Sequence, residues 1–239
     1  MDDGVFDMYT KKQTGTSEAV YRKLKEQILF LELPPGSAIS EIDTAAQYDV
    51  SRTPVRDAFK MLAGEGLLEI RPHIGTFVSL IDLNMISDIL YMRETLEQAI
   101  FRDLASSYDK SQEFRIRLIL QKQHELLESE LNEDALGRAF IRSDNEFHST
   151  LYEMAGKKNV MDFLKNINSQ YERFRTFSNF TDRSRLLSLY DEHTALWQYI
   201  SGKDYERLSD TISHHIYDGF NANTEIVCRH PEYFKTLIP

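Results

Sequence analysis

The chain has 239 residues, of which 41% are hydrophobic and 28% are charged, and its formal net charge is −10 at pH 7. This composition excludes an intrinsically disordered chain and fits one large domain or two modest ones. The acidic excess argues against nucleic-acid binding over the whole surface, but it is compatible with a small basic contact face. The single cysteine, Cys228, excludes an internal disulfide and a thiolate cluster, so a metal site here must use His, Asp and Glu.

The N-terminal segment, residues 1–14, is predicted to be a flexible arm. It begins "MDDGVFDMYTKK", which is acidic and lacks the basic-then-apolar order of a signal peptide. No run of roughly 18 apolar residues occurs in the chain. The sequence therefore predicts a cytoplasmic protein that has no membrane partner.

Residues 15–80 follow the order of a winged helix-turn-helix. Helical spacing of Val20, Leu24, Ile28 and Leu31 predicts a first helix, which the "PPG" at residues 34–36 ends. A second helix is predicted in "SEIDTAAQYD" and a third in "RTPVRDAFKMLAGEG". The next stretch, "LLEIRPHIGTFVSLI", has two short runs of strand formers around a turn, which is typical of a β-hairpin.

The third helix carries a basic stripe. Arg52, Arg56 and Lys60 are spaced at i, i+4 and i+8, opposite the apolar face, with Ser51 and Thr53 beside them. A recognition helix needs this arrangement, because its N-terminal residues reach base edges and phosphates. The alternative is a stripe that only solvates a helix, but the surrounding helices and hairpin favour DNA recognition.

Beyond residue 80 the pattern is helical throughout. Helices are predicted over 82–106, 110–130, 133–156, 158–178, 182–201 and 203–227. The short connections favour antiparallel neighbours. We therefore expect a mainly α protein, in which an N-terminal winged helix-turn-helix with a small hairpin precedes an all-α antiparallel bundle of about six helices, residues 81–239.

Four polar residues fall on apolar faces of the bundle helices. Asp144 and His148 are one turn apart within an inward face, and His193 lies at the centre of a second apolar stripe. His215 is about 60° from Ile212 on a third helix, whereas its neighbour His214 points to solvent. Three neutral imidazoles and one carboxylate can converge on a borderline divalent cation. Zinc is the first choice, and nickel, iron and manganese remain open.

The first bundle helix places a cation on its inward face. Arg93 and Glu97 are at i and i+4 among apolar positions. One interpretation is a partly buried ion pair, and the other is an effector site in which Arg93 holds a ligand carboxylate beside the metal while Glu97 orients it. The two interpretations are compatible.

The N-terminal motifs resemble a known family. "LELPPGSAISE", "DVSRTPVRDAFKMLAGEGLLEIRP" and "GTFV" are similar to the DNA-binding domain of GntR-type bacterial transcriptional regulators. The resemblance implies contacts to operator DNA from the recognition helix and from a wing tip in the minor groove. The residues so implied are Ser51, Arg52, Thr53 and Arg56 on the helix, with His73, Gly75 and Thr76 in the wing, and the basic stripe adds Lys60. The sequence departs from the family at Ile42, where many members carry an arginine, and at the uncharged wing tip.

The second half also carries a resemblance. "RETLE", "DNEFHSTLYEMAGKKN" and "EHTALWQYISGKDYERLSDTISHHI" look like the FCD effector domain of the FadR subfamily, in the shorter, VanR-like branch. The resemblance implies that an Asp and three His bind a metal, and the carry-over falls on Asp144, His148, His193 and His215.

These observations favour a ligand-responsive transcription factor that binds a palindromic operator as a homodimer and is controlled by a small organic acid. A second hypothesis is a metal-dependent hydrolase with an N-terminal interaction domain; of the inward residues only Glu97 could then serve as its general base. A third keeps the DNA function and makes the metal purely structural. We expect a regulator and not an enzyme.

Overall fold

The computed structural model describes residues 3–179, 183–221 and 224–235, which form two compact units. The first unit extends to Asp82 and also includes the C-terminal segment that starts at His230. The second unit covers Leu83–Arg229. The predicted boundary at residues 80 and 81 therefore differs by two residues.

The first unit contains three helices and a small sheet. The helices are α1 (Asp3–Leu29), α2 (Glu41–Gln47) and α3 (Arg52–Gly64), and the strands are β1 (Ala38–Ile39), β2 (Leu68–Arg71) and β3 (Gly75–Val78). The sheet is antiparallel with the order β1-β3-β2. The predicted hairpin, β2 and β3, is confirmed, and β1 adds a third strand that is too short to leave a periodic signal.

The helix order in this unit follows the predicted one. Val20, Leu24 and Ile28 of α1 are buried in one core cluster with the apolar face of α3 and with β2 and β3. In the structure α1 begins at Asp3, so its backbone is helical through most of the segment, residues 1–14, that we expected to be a flexible arm. The flexibility of that segment stays a prediction.

The second unit is all-α. Its helices are α4 (Leu83–Ser107), α5 (Lys110–Glu128), α6 (Glu133–Met154), α7 (Lys158–Ile167), α8 (Ser169–Asn179), α9 (Arg183–Gly202), α10 (Tyr205–Asn221) and α11 (Thr224–Arg229). Local capping fixes two of the starts: Asp109 and Gln112 form a capping box at α5, and the Asn132 side chain accepts a bond from the Ala135 amide at α6.

The helix count differs from the expected six. The stretch predicted as 158–178 is divided at Asn168 into α7 and α8, and the stretch predicted as 203–227 is described as α10 and α11. Residues 222 and 223, between the last two, lie outside the described residues. A helix period does not reveal a one-residue interruption, because the apolar positions on either side still fit the same spacing.

The C-terminal segment packs on the first unit, although the sequence analysis assigned all of residues 81–239 to the second domain. The Ile81 amide donates to the Tyr233 carbonyl at 2.9 Å, and the Lys235 amide donates to the Ile81 carbonyl at 2.8 Å. Phe234 pairs with Ile81 in a parallel bridge and is 5% exposed. The segment therefore anchors the chain that leaves the wing.

Candidate metal centre and DNA-binding surface

The start of α3 presents the predicted recognition residues to solvent. Ser51, Arg52, Thr53, Arg56 and Lys60 are all exposed, whereas Val55, Ala58, Phe59 and Leu62 are buried on the opposite face. Ser51 is the N-cap residue, but its hydroxyl makes no capping hydrogen bond. Its hydroxyl, the α3 amides and the positive end of the helix dipole therefore face the same space.

Glu41 of α2 organises the two arginines. Its carboxylate accepts from Arg52 Nη2 at 3.2 Å and from Arg56 Nε and Nη2 at 3.3 Å. The hydrogen bond from Arg56, followed by that from Arg52, lowers the pKa of Glu41 although burial raises it. The pair of guanidinium groups is therefore held at one place on the surface before any DNA arrives.

The wing closes the other side of the same concave surface. The surface is lined by parts of β1, α2, α3 and the hairpin tip, including Arg52, Arg56, His73, Gly75 and Thr76. The backbone φ angles of His73 and Gly75 are 62° and 149°. Glycine readily adopts the φ angle found at position 75, because it has no Cβ atom. Of the DNA-contacting residues predicted from the sequence, five line this concave surface: Arg52, Arg56, His73, Gly75 and Thr76. Ser51, Thr53 and Lys60 are exposed on α3 but do not line the concave surface.

Arg71 was missed by the sequence reasoning. It is exposed at the end of β2, where its guanidinium donates to Glu69 at 2.8 Å and lies 4.7 Å from the centroid of the Phe77 ring. Its position directly before the Pro72 turn was the available signal, because a cation at the base of a wing can contact the DNA backbone.

The four residues chosen by helical phase converge in the second unit. Asp144 and His148 come from α6, His193 from α9 and His215 from α10. Each can offer one ligand atom such that all four atoms lie within 4.8 Å of one another. All four residues are buried, and none is more than 6% exposed.

Hydrogen bonds at Nδ1 orient two of the three histidines, and the Nδ1 atom of the third lies near a carboxylate. His193 Nδ1 is 2.9 Å from Gln123 Oε1, and His215 Nδ1 is 2.7 Å from Glu192 Oε2. His148 Nδ1 lies 3.4 Å from Glu97 Oε2, a longer contact. Because the two hydrogen bonds favour the Nδ1–H tautomer, the lone pairs of His193 and His215 are placed on Nε2, and the Glu97 carboxylate favours the same tautomer of His148.

The Nε2 atoms of the three rings then face the interior of the cluster. His148 Nε2 and His215 Nε2 are 3.1 Å apart, and His193 Nε2 lies 3.3 Å from Asp144 Oδ1 without making a hydrogen bond. Two lone pairs at this distance repel unless a proton or a cation lies between them. The arrangement fits a divalent metal with three nitrogen donors and one carboxylate oxygen.

The protonation states agree with such a site. Burial lowers the pKa of His193 to about 4 and also lowers the pKa of His148. Burial raises the pKa of Asp144, but the Arg175 guanidinium and the nearby His193 and His148 rings lower it, so that it lies well below its ordinary value. These two imidazoles are therefore neutral and the carboxylate ionised at pH 7, which are the forms that bind a metal.

A small cavity of about 20 Å³ adjoins the cluster, with Asp144 and His215 in its wall. That volume is about what one water molecule requires. Three guanidinium groups face it, from Arg93, Arg175 and Arg185. Tyr171 and Phe174 also belong to the wall.

Each of the three arginines is tied to a different residue of the cluster. Arg175 donates directly to Asp144 at 2.7 Å. Arg93 donates to Glu97 at 2.8 and 3.0 Å, and Glu97 also faces His148. Burial raises the pKa of Glu97, but Arg93 and His148 lower it to about 2, so this carboxylate stays ionised and serves as a bridge.

Arg185 forms the third connection. Its Nη1 atom lies 3.2 Å from Glu192 and 2.5 Å from Asp218, and Glu192 holds His215. Arg185, Glu192 and Gln123 were all missed from the sequence. Glu192 directly precedes His193 and could have been suspected, whereas nothing in the helical pattern marks Gln123 or Arg185.

The fold and the two sites define a class of protein: a transcriptional regulator with a winged helix-turn-helix unit and an all-α effector unit. The chain matches the family model "Bacterial regulatory proteins, gntR family" over residues 16–78 and the FCD domain model over residues 88–218. The chain therefore belongs to the GntR family of bacterial regulators and carries an FCD domain.

Individual relatives agree with this assignment. The chain is 26% identical to the HTH-type transcriptional repressor RspR of Escherichia coli K12 over 92% of this chain and 93% of that protein. It is 30% identical to an HTH-type transcriptional regulator of Streptomyces ambofaciens over 91% of this chain and 89% of the relative. The solved structure of Escherichia coli McbR/YncC has a TM-score of 0.69 over 90% of this chain and 98% of that one, and at 17% identity it shows the fold alone.

Family and relatives indicate a transcriptional regulator and not an enzyme, as predicted, so the hydrolase hypothesis is set aside. In the part of the chain that the structure describes, no helix combines the length and the apolar character needed to cross a bilayer.

Proposed function

We propose that this protein is a repressor that binds a palindromic operator as a homodimer and changes its operator affinity when a small carboxylate binds beside a metal ion in the second unit. Asp144, His148, His193 and His215 would hold the ion, with zinc as the first choice. Arg93 would bind the effector carboxylate, positioned by Glu97. Ser51, Arg52, Thr53, Arg56 and Lys60 would contact DNA from α3, and His73, Gly75 and Thr76 from the wing.

The observation that carries the metal proposal is the inward convergence of the three Nε2 atoms. Each Nδ1 atom already faces an acceptor, so a metal is the partner that satisfies the facing lone pairs without a change of tautomer. When bound, the ion supplies positive charge and coordination positions that four side chains leave open. The resemblance to FCD domains points to the same four residues.

Charge balance supports an anionic effector. The three arginines at the cavity face four carboxylates, Glu97, Asp144, Glu192 and Asp218, which leaves one net negative charge when the imidazoles are neutral. A divalent cation changes this balance to one net positive charge. One carboxylate from a ligand then neutralises the site, and the planar guanidinium groups suit its geometry.

The connections between arginines and metal-binding residues suggest how the effector acts. A ligand carboxylate in a cavity of about 20 Å³ requires side chains to move, and Arg175 would have to share or leave Asp144. Any such shift reaches the cluster through Asp144, Glu97 or Glu192. Effector binding then favours one arrangement of the second unit, and the two recognition helices of a dimer no longer match their half-sites.

The test uses the full-length protein and duplexes selected from a randomised DNA library. We expect enrichment of a palindromic site, a dimer in solution and about one equivalent of divalent metal per chain. A panel of mono-, di- and hydroxycarboxylic acids is then titrated into the protein–operator complex. Release by one acid supports the proposal, and enrichment of no sequence would contradict it.

His193→Ala separates a sensing metal from a structural one. A folded variant that binds the selected duplex but no longer responds to the acid supports sensing. Loss of thermal stability with an unchanged response supports a purely structural metal. His124→Ala is the matched control, because His124 is an exposed histidine of the same unit and lies outside the cluster.

A further inference from the structure

Two exposed apolar side chains lie on the DNA-facing concave surface. Ile42, in the first turn of α2, is 60% exposed, and Ile74, at the wing tip, is 73% exposed. Both line the surface that also includes Arg52 and Arg56. Single exposed apolar residues are common, but two on one concave surface beside two arginines call for a ligand with an apolar group.

Ile42 has no packing role that explains its identity. The side chains that α2 buries are Thr44 and Ala45, and Ile42 does not belong to the core cluster of the first unit. Its backbone position is nevertheless fixed, since the Ser40 hydroxyl accepts from the Ile42 amide at 3.2 Å. The isoleucine is therefore presented by a capped helix start.

The charges around Ile42 disfavour a phosphate as its partner. Glu41 and Asp43 flank it in the first turn of α2, and carboxylates repel the DNA backbone. Glu41 also joins this turn to Arg52 and Arg56 through hydrogen bonds of 3.2 to 3.3 Å. On these grounds the turn suits an apolar contact beside the α3 arginines better than a contact with a phosphate.

We propose that Ile42 reads the 5-methyl group of a thymine in the major groove of each operator half-site. Among the groups that unmodified base pairs display in that groove, the thymine methyl is the apolar one, and aliphatic side chains contact it. This inference rests on the proposed operator binding through α3. It adds a base contact that the arginines cannot make, because guanidinium groups select guanine acceptors.

The test replaces thymines of the selected duplex by deoxyuridine, one at a time, which removes only the methyl group. We expect the full-length wild-type protein to lose affinity about fourfold at one thymine per half-site, as for burial of one methyl group. Ile42→Ala should bind the thymine and deoxyuridine duplexes with equal affinity at that position. Ile42 is exposed, so this variant should fold.

Ile74→Ala is the matched control. It removes the more exposed of the two isoleucines, from the wing, and it should retain the full deoxyuridine effect at the Ile42 position. The inference is overturned if no replacement of thymine by deoxyuridine lowers the affinity of the wild-type protein. It is also overturned if Ile42→Ala loses as much affinity as the wild-type protein on the same replacement, which would assign the effect to DNA shape. Failure of the wild-type protein to enrich any site would instead contradict the proposed operator binding.

Discussion

His214 and His215 are adjacent in the chain, but only His215 belongs to the buried cluster with Asp144, His148 and His193. His215 is 6% exposed and its Nδ1 atom is held by Glu192 at 2.7 Å, whereas His214 is exposed. Consecutive helical residues point about 100° apart, so one helix can direct only one of them at the cluster. Their substitution therefore tests the proposed site with a minimal change of sequence.

We expect His215→Ala to lower the affinity for a divalent metal by more than about 100-fold, because loss of an outer-shell partner alone costs 10- to 100-fold. His214→Ala should leave the affinity unchanged. Both variants are compared by competition with a chromophoric chelator, and circular dichroism checks that each is folded. Equal affinities for the two variants would contradict the assignment of His215 as a ligand.

The stability of the metal-free protein should fall as the pH is lowered from 7 to 5. Burial holds the pKa of His193 at about 4 in the folded state, below its ordinary 6.5. The unfolded chain therefore binds this proton first, and the stabilisation that is present above pH 6.5 is lost as the pH falls towards 4. The loss in unfolding free energy between pH 7 and 5 is about 2 kcal/mol.

Urea denaturation of chelator-treated protein at pH 7, 6 and 5 measures this loss. The buried carboxylates Glu97 and Asp144 also stabilise the folded state less as the pH falls. Because their pKa values are depressed, this loss of stability begins only within and below the ordinary carboxyl range. The interval from pH 7 to 5 thus reports mainly the histidines. An unfolding free energy that does not change over this interval would mean that the imidazoles are not buried in neutral form.

Helical phase predicted the residues at the centre of the site but only Arg93 and Glu97 of those around them. Asp144, His148, His193 and His215 stood out because polar side chains interrupt apolar stripes. The acceptors for two of the rings, Gln123 and Glu192, are 70 and 23 residues from their histidines along the chain. A hydrogen bond across such a separation depends on which helices pack together, which a single sequence does not specify.

At the scale of the element, α3 combines a buried apolar face with an exposed basic face. We expect Arg52→Ala and Arg56→Ala each to abolish specific binding to the selected operator while the dimer stays intact. Loss of one good bidentate base contact costs about 1–3 kcal/mol, and a dimer loses it twice. The binding curves come from electrophoretic mobility shifts and the dimer mass from light scattering.

Arg117→Ala is the control for these two variants. Arg117 is exposed on α5, where it pairs with Glu113 one turn away, so its loss changes the net charge equally without touching α3. Operator affinity should match that of the wild-type protein. Specific binding that survives both α3 substitutions would contradict the assignment of the recognition helix.

The C-terminal segment is an element that periodicity could not place. It is short, and the bond pattern that holds it joins backbone groups of Ile81, Tyr233 and Lys235. Backbone contacts leave no trace in the pattern of side chains. The winged helix and the bundle were predictable because each repeats a spacing over many residues, whereas this segment, like the two-residue strand β1, repeats nothing.

We expect Phe234→Ala to destabilise the segment by roughly 3 kcal/mol, since truncation of a buried phenylalanine typically costs 3–5 kcal/mol. Amide hydrogen exchange of the full chain should show lower protection at Ile81 and in β3. Tyr233→Ala is the control, because Tyr233 is only partly buried and the same backbone bonds can form. Unchanged protection in Phe234→Ala would mean that the segment does not anchor the end of the wing.

At the scale of the whole molecule, an acidic protein must bind an acidic polymer. The net charge is −10, and residues 1–80 alone carry nine basic against twelve acidic side chains. We therefore expect the attraction to DNA to come from the exposed basic side chains of α3 and the wing, Arg52, Arg56, Lys60 and Arg71. Affinity should fall steeply with salt, because phosphate contacts release condensed counterions.

Lys60 tests how that electrostatic contribution is divided. It lies two turns beyond Arg52 on the exposed face of α3 and interacts with Asp57 at 3.8 Å, so it is placed for a phosphate and not for a base edge at the helix start. The logarithm of the operator affinity is measured against the logarithm of the salt concentration. Each phosphate contact contributes about −0.9 to the slope, so Lys60→Ala in a dimer should make the slope shallower by about 2.

The sequence preference of Lys60→Ala should stay that of the wild-type protein, because a phosphate contact carries no base information. Arg52→Ala should behave in the opposite way and lose the sequence preference, because it removes a base contact. A slope that Lys60→Ala leaves unchanged would place this lysine away from the DNA. A change of only about 1 would mean that one protomer alone makes the contact, which contradicts a symmetric dimer on a palindromic operator.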